Sequence, residues 1–340
     1  MFLKGKIMGI ASNKVTRRVA LGSIAGGLAG TAAVLQVLKS KYRVPVADID
    51  DSPYAKEWAS CLKMTEVPID RTSGPSSVTL HFKPPVDERL RVVNFNAHYD
   101  AGRSRAVYPQ APLHYFVATG EVTAIPSVID NKPALLVVAE KKAIHSRRYE
   151  DKKPGGKCIF VPHNGDFDCF EAGVHPPKKL PLGKVNYTCV LLASSLMFDY
   201  PVGKPLAAGT KWTIPETAEF RFAMPCEIVG FAKVAGRQAI EISAERHLNN
   251  QEVRHYVIRS YEWNKKIEKE RGSNFDVDAV LAREMKRVVE SQQTQVHRLR
   301  YYVDVQTGIV LRSKWTMTLR SPKLTDPDET IIMLSQVIVS

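Results

Sequence analysis

The sequence predicts an α+β protein, mainly antiparallel β, in which curved sheets or a half-barrel carry a few covering helices behind an N-terminal transmembrane or signal helix. Three observations predict it. Residues 78–161 and 187–244 break into short apolar runs separated by turn residues, the spacing of antiparallel strands. Residues 253–292 change to helical periodicity, and a final pair of runs closes the chain as strands again. An uncharged run rich in Gly and Ala, Val19 to Leu38, follows a basic start.

That first segment begins with Thr16-Arg17-Arg18-Val19-Ala20-Leu21, and Gly22, Gly26, Gly27 and Gly30 dilute the Leu and Val of its apolar core. The order of residues and the mild hydrophobicity resemble bacterial twin-arginine export signals. The resemblance covers about forty residues. It implies export of a folded chain across the cytoplasmic membrane, with Arg17 and Arg18 read by the export machinery, and a periplasmic or envelope location. Ala29-Gly30-Thr31 and Thr31-Ala32-Ala33 are imperfect small-residue cleavage sites. A helix over 19–38 rises about 1.5 Å per residue and so reaches roughly 30 Å, the depth of a bilayer core, which favours a retained membrane anchor over a removed signal. Gly22, Gly26 and Gly30 stand at the four-residue spacing of close helix pairs, a pattern that equally serves to lower signal hydrophobicity.

Residues 1–43 therefore form the export signal or anchor, and 44–340 the exported body. The chain carries a net charge of +13, but residues 1–43 hold eight cations and no acid, and subtracting those eight leaves +5 for the body. So small an excess over almost 300 residues is an ordinary solvated surface, and no nucleic-acid partner is expected. The five cysteines are Cys61, Cys158, Cys169, Cys189 and Cys226. Cys158 and Cys169 flank Asn164-Gly165, a hairpin-turn signal, and form the disulfide candidate; small reduced hydrophobes are the alternative.

Within the body, Ser52-Pro53 opens a helix with Ala55, Trp58, Ala59 and Leu62 on one face, and Pro68 to Ser77 closes it. Strands follow at 78–82, 90–95, 114–118, 134–139 and 157–161. The Pro- and Lys-rich connector 174–184 marks an internal division. Beyond it, 187–192, 211–214, 220–223, 226–231 and 238–244 read as strands, with Val234-Ala235-Gly236-Arg237 as a turn. Helical spacing runs through Val253, Tyr256, Val257, Ser260, Tyr261 and Ile267, and a second helix, 276–292, is capped by Asn274 and striped by Val277, Val280, Leu281, Val288 and Val289. Strands 296–305 and 309–319 flank Gln306-Thr307-Gly308.

This closing hairpin, with Asp304, Thr307, Gly308 and Arg312, resembles the Asp-x-x-Thr-Gly-x-x-x-Arg hairpin of LolA-like envelope lipid and lipoprotein carriers. The resemblance implies an open half-barrel whose concave face holds acyl chains beneath helices such as 276–292.

Two groups of residues suggest metal chemistry. Asn96-Ala97-His98-Tyr99-Asp100 resembles the His-x-Asp zinc-ligand element of one class of metallo-aminopeptidases, although that class's bridging Asp segment and Glu-Glu pair are missing. His163, Asp166 and Asp168 gather an imidazole and two carboxylates about a turn. Gly-x-Ser-x-Gly, phosphate-loop, Gly-x-Gly-x-x-Gly, His-Glu-x-x-His, Cys-x-x-Cys and lipobox patterns do not occur. No catalytic residue and no cofactor is assigned. The expected function is an exported envelope protein whose β-rich body binds a partner protein or a lipid; a LolA-like carrier and a metal-dependent hydrolase are the alternatives, the last requiring His98, Asp100, His163, Asp166 and Asp168 to converge.

Overall fold

A computed structural model describes residues 69–72, 74–86, 88–100, 114–129, 131–140, 145–146, 149–150, 155–163, 166–216, 222–320 and 329–339. The predicted signal or anchor with Arg17, Arg18 and residues 19–38, the helix at 52–62, Cys61 and part of the 220–223 strand lie outside them.

Among the described residues seventeen strands and three α-helices follow in order. The first strands are β1 (Ile69–Thr72), β2 (Val78–Thr79), β3 (Arg89–Asp100), β4 (His114–Ile129) and β5 (Lys132–Ala139). Next come β6 (His145–Ser146), β7 (Tyr149–Glu150), β8 (Lys157–His163), β9 (Asp166–Glu171) and β10 (Lys179–Leu180). A 3₁₀ turn (Leu182–Lys184) leads to α1 (Tyr187–Ser194), β11 (Pro205–Leu206), β12 (Lys211–Ile214), β13 (Met224–Val234) and β14 (Arg237–Leu248). The chain ends with α2 (Asn250–Arg271), α3 (Val277–Ser291), β15 (Thr294–Asp304), β16 (Val310–Arg320) and β17 (Glu329–Val339).

Thirteen strands form one antiparallel sheet in the order β1-β13-β14-β15-β16-β17-β3-β4-β5-β8-β9-β10, with β12 also on β13, and the sheet curls into a half-barrel. One meander runs outward from β3 and another from β13, and the last strand joins them: β17 pairs with β3 from Glu329 opposite Asp100 to Val339 opposite Leu90. The connector 174–184 therefore lies within a single sheet that includes strands from both sides of it.

Local chemistry explains the elements. Ala235 and Gly236, both at positive φ, make the two-residue turn between β13 and β14 that matches strand twist. Asn249 and Glu252 form a reciprocal capping box at the start of α2, which ends on left-handed Gly272. Asp276, rather than Asn274, caps α3 by accepting the Ala279 N–H at 2.9 Å.

The largest departure from the sequence reading is at 187–192, which forms α1 instead of a strand. Asn186 accepts the Cys189 N–H at 3.3 Å as its cap, and seven of the helix's eight residues are buried. A helix buried on every side has no polar face, so its apolar run shows no period that separates it from a buried strand. The predicted strand at 78–82 shrinks to Val78–Thr79, paired with β11.

Two clusters make the core. One packs Met224, Ile228, Ile240, Ile242, Leu299 and Trp315 of β13–β16 against Val253, Tyr256 and Val257 of α2 and Val277 and Val288 of α3. The other packs Leu90, Val92, Val122, Leu135, Val137 and Phe160 of β3–β8 against α1. Gly120 permits this second contact, because a Cβ there would stand 2.5 Å from Leu192 Cδ1.

Candidate functional site

The concave face of the half-barrel is the natural place for a site, and the pairing register defines it. Ile242, Tyr301, Ser313, Ser335, Asn94 and Ala118 form one row across β14, β15, β16, β17, β3 and β4. Directly opposed residues share a face, so the two core clusters occupy one continuous concavity. Helices α1 and α2–α3 fill it side by side.

Segment 195–200 ties the two regions. Asn94 Nδ2 donates to Ser195 Oγ at 2.8 Å, Val310 N–H to Leu196 O at 2.9 Å, and the Tyr200 hydroxyl to Gly308 O at 2.8 Å. The Gly308 end is the hairpin with Asp304 and Thr307. There the Asp304 carboxylate, almost fully buried, accepts the Gln306 N–H at 2.7 Å and the Thr307 N–H at 3.3 Å, and binds Arg237. Gly308 takes φ +68°, and a Cβ on it would stand 2.3 Å from both His81 O and the Tyr200 hydroxyl. Each of these three residues thus holds a turn docked against residues 81–83 and 200.

The buried ionisable groups are committed in the same way. His297, with no exposed surface, shares a hydrogen bond with Gln295 Oε1 at 3.0 Å through Nε2 and accepts from Trp315 Nε1 at 3.3 Å through Nδ1. Burial pushes its pKa down to about 3, so the ring is neutral. Glu241 is gripped by Arg300 at 2.8 Å and Arg71 at 3.5 Å, with the Tyr302 hydroxyl at 3.4 Å.

Four cysteines are described, all buried as thiols. Cys158 and Cys169 sit on neighbouring strands but not opposite one another: Cys158 faces Glu171, and Cys169 faces Phe160. They carry no disulfide. The residue that sequence reading missed is Cys189 on α1, which lies in the same core cluster as Cys158, its Sγ 3.8 Å from the carbonyl oxygen of Val137. The neighbouring Cys189 thiol, outweighing burial and aided by the Asn186 backbone, lowers the Cys158 pKa to about 7. The same neighbour and burial push the Cys189 thiol up.

The predicted metal ligands do not converge. Position 98 lies opposite His114, at the start of β4. Position 163 pairs with 166, and Asp168 with Val161, where β8 meets β9, which the register of β5 and β8 sets level with the other end of β4. At about 3.3 Å per residue the two groups stand on the order of 35 Å or more apart along the strands, besides three strand spacings. Strand register thus carries positions 98–100 and 163–168 towards opposite ends of β4. Asp168 forms an ion pair with Lys179 at 2.6 Å. Among the described residues no three His, Cys, Asp or Glu side chains are grouped to hold a metal.

On the outer surface a shallow groove of about 280 Å³ runs along α3, lined by Arg283, Lys286, Arg287, Glu290 and Ser291. Lys286 pairs with Glu290 at 3.8 Å on the solvated side of the helix, and Arg287 reaches the buried Glu284 at 3.0 Å. Among the described residues no helix is long and apolar enough to span a membrane. No known protein family matches the chain, and no curated protein is detectably similar to it.

Proposed function

We propose that the chain is an exported cell-envelope protein whose β-rich body acts by binding and interaction rather than by turning over a substrate. The observation that carries this reading is the commitment of three buried ionisable groups to the frame of the fold. His297, Glu241 and Asp304 are each held by partners that fix strands and turns, while the protein's own helices fill the concavity. Support for export comes from Thr16-Arg17-Arg18-Val19-Ala20-Leu21 and the uncharged run behind it. Replacing Arg17 and Arg18 by Lys and fractionating the cells tests it: the variant should stay in the cytoplasm, and normal export would refute the twin-arginine reading.

A LolA-like lipid or lipoprotein carrier is the second reading. The curled sheet with helices in its concavity supports it, as does the Asp304, Thr307, Gly308 and Arg312 hairpin. On this reading α2 and α3 are the cover that a lipid displaces. Native mass spectrometry of the full chain extracted from the envelope separates the two: a stoichiometric acyl species favours the carrier, and its absence from every charge state favours the interaction protein.

A further inference from the structure

Three buried cysteines share the core cluster that includes α1. Cys158 and Cys169 lie in the same core cluster, on the same face of the sheet, as diagonal neighbours two residues out of register. Diagonal positions on adjacent strands have Cβ atoms separated by about 7 Å, whereas a disulfide needs roughly 3.5–4.5 Å. Strands hydrogen-bonded along their length cannot slide to remove that difference, so the pairing suggested by the hairpin is geometrically closed.

Cys189 approaches from the other side. It is the third residue of α1, and its sulfur lies 3.8 Å from the carbonyl oxygen of Val137. Val137 is the residue directly paired with Cys158 in the sheet. Cys189 is thus placed over the same row as Cys158, in the same core cluster. A helix seated on a sheet can make the small approach that two locked strands cannot.

We infer that Cys158 and Cys189 are the disulfide-forming pair of this protein, a bond that would staple α1 to β8 on the floor of the concavity. Formation requires an oxidant, and a dithiol–disulfide exchange partner supplies it. The Cys158 thiolate attacks the partner's disulfide, forming a mixed disulfide and releasing one partner thiolate. Cys189 then loses its proton and attacks the Cys158 sulfur of that mixed disulfide, releasing the second thiolate. Two protein thiols give up two electrons and two protons, and one disulfide of the oxidant becomes two thiols. Cys169 remains a thiol in the same cluster.

The pairing needs only the oxidant; its formation in the cell rests on the export reading. The full chain, purified in detergent, is refolded from denaturant in a buffer of oxidised and reduced glutathione, quenched with acid, alkylated and digested for mass spectrometry. A Cys158–Cys189 cross-linked peptide is expected in the parent chain and in Cys169→Ser, and no cross-link among these cysteines in Cys189→Ser. A Cys158–Cys169 link, or alkylated Cys158 and Cys189 in a folded chain from the oxidising buffer, overturns the inference. Chain taken directly from cells is read separately. A cross-link in the parent that disappears when Arg17 and Arg18 are replaced by Lys supports both readings. The same link in both chains counts against export and leaves the pairing in place.

Discussion

Acidification should destabilise the fold through His297. The ring has no exposed surface, lies against Phe222, Tyr256 and Trp315, and has a pKa near 3 because burial disfavours the imidazolium. In the unfolded chain the same group titrates near 6.5. The native state therefore binds fewer protons than the unfolded state between these values. The stability that the neutral ring contributes is intact above pH 6.5 and is lost as pH falls towards 3. Between pH 7 and pH 5 the expected loss is about 2 kcal/mol, at ~1.4 kcal/mol per pH unit once below 6.5. His297→Gln provides the reference, because Gln does not titrate and the remaining groups are common to both chains. Urea unfolding at pH 7, 6 and 5, followed by tryptophan fluorescence, gives the stability difference between parent and variant at each pH. That difference should move by about 2 kcal/mol towards the variant on going to pH 5. A flat difference would mean that the imidazole titrates alike in both states, and the assignment of a neutral, fully buried ring would fail.

Three further outcomes test the frame around the concavity, each read as a shift in urea midpoint. Gly308→Ala should cost about 3 kcal/mol, from the left-handed backbone and the Cβ contacts with His81 and Tyr200, whereas Gly236→Ala, at φ +79° with nothing nearby, should cost only about 1 kcal/mol; equal costs would show that the docked turn contributes nothing. Asp304→Ala, which strips two turn amides and Arg237 of a buried acceptor, should cost about 3 kcal/mol, and a loss below about 1 kcal/mol would contradict the described geometry. Asn249→Ala should cost about 1 kcal/mol by breaking the α2 capping box, with Asn249→Asp restoring most of it; no loss would place the helix start elsewhere.

Much of the second half of the body was legible because its signals are local. The Ala235-Gly236 turn, the 304–308 hairpin turn and the 253–292 helical pattern each announce themselves within a few residues, and each forms within a few positions of where the sequence puts it. Helix α1 was not legible, because burial on every side erased the polar face that distinguishes a helix from a strand. The long strand β17 and its pairing with β3 were equally hidden. That contact joins residues some 240 positions apart, and nothing in either strand's own pattern names the partner. Yet this pairing makes one sheet of two meanders, and it determines which side chains share the concavity.

The cysteines separate what counting can reach from what it cannot. The register sets 163 opposite 166, and stepping outward sets 160 opposite 169 and 158 opposite 171. The hairpin signal that suggested a Cys158–Cys169 bond therefore already contained the argument against it: the two cysteines stand at unequal distances from the turn. Cys189 was beyond such counting. Its place over Cys158 depends on α1 being a helix, on the missing side chain at Gly120 that lets the helix settle, and on Val137 aligning with Cys158 across β5 and β8. Only when all three hold does a thiol on a helix come within reach of a thiol on a strand. A bond there would fasten α1 to the floor of the concavity.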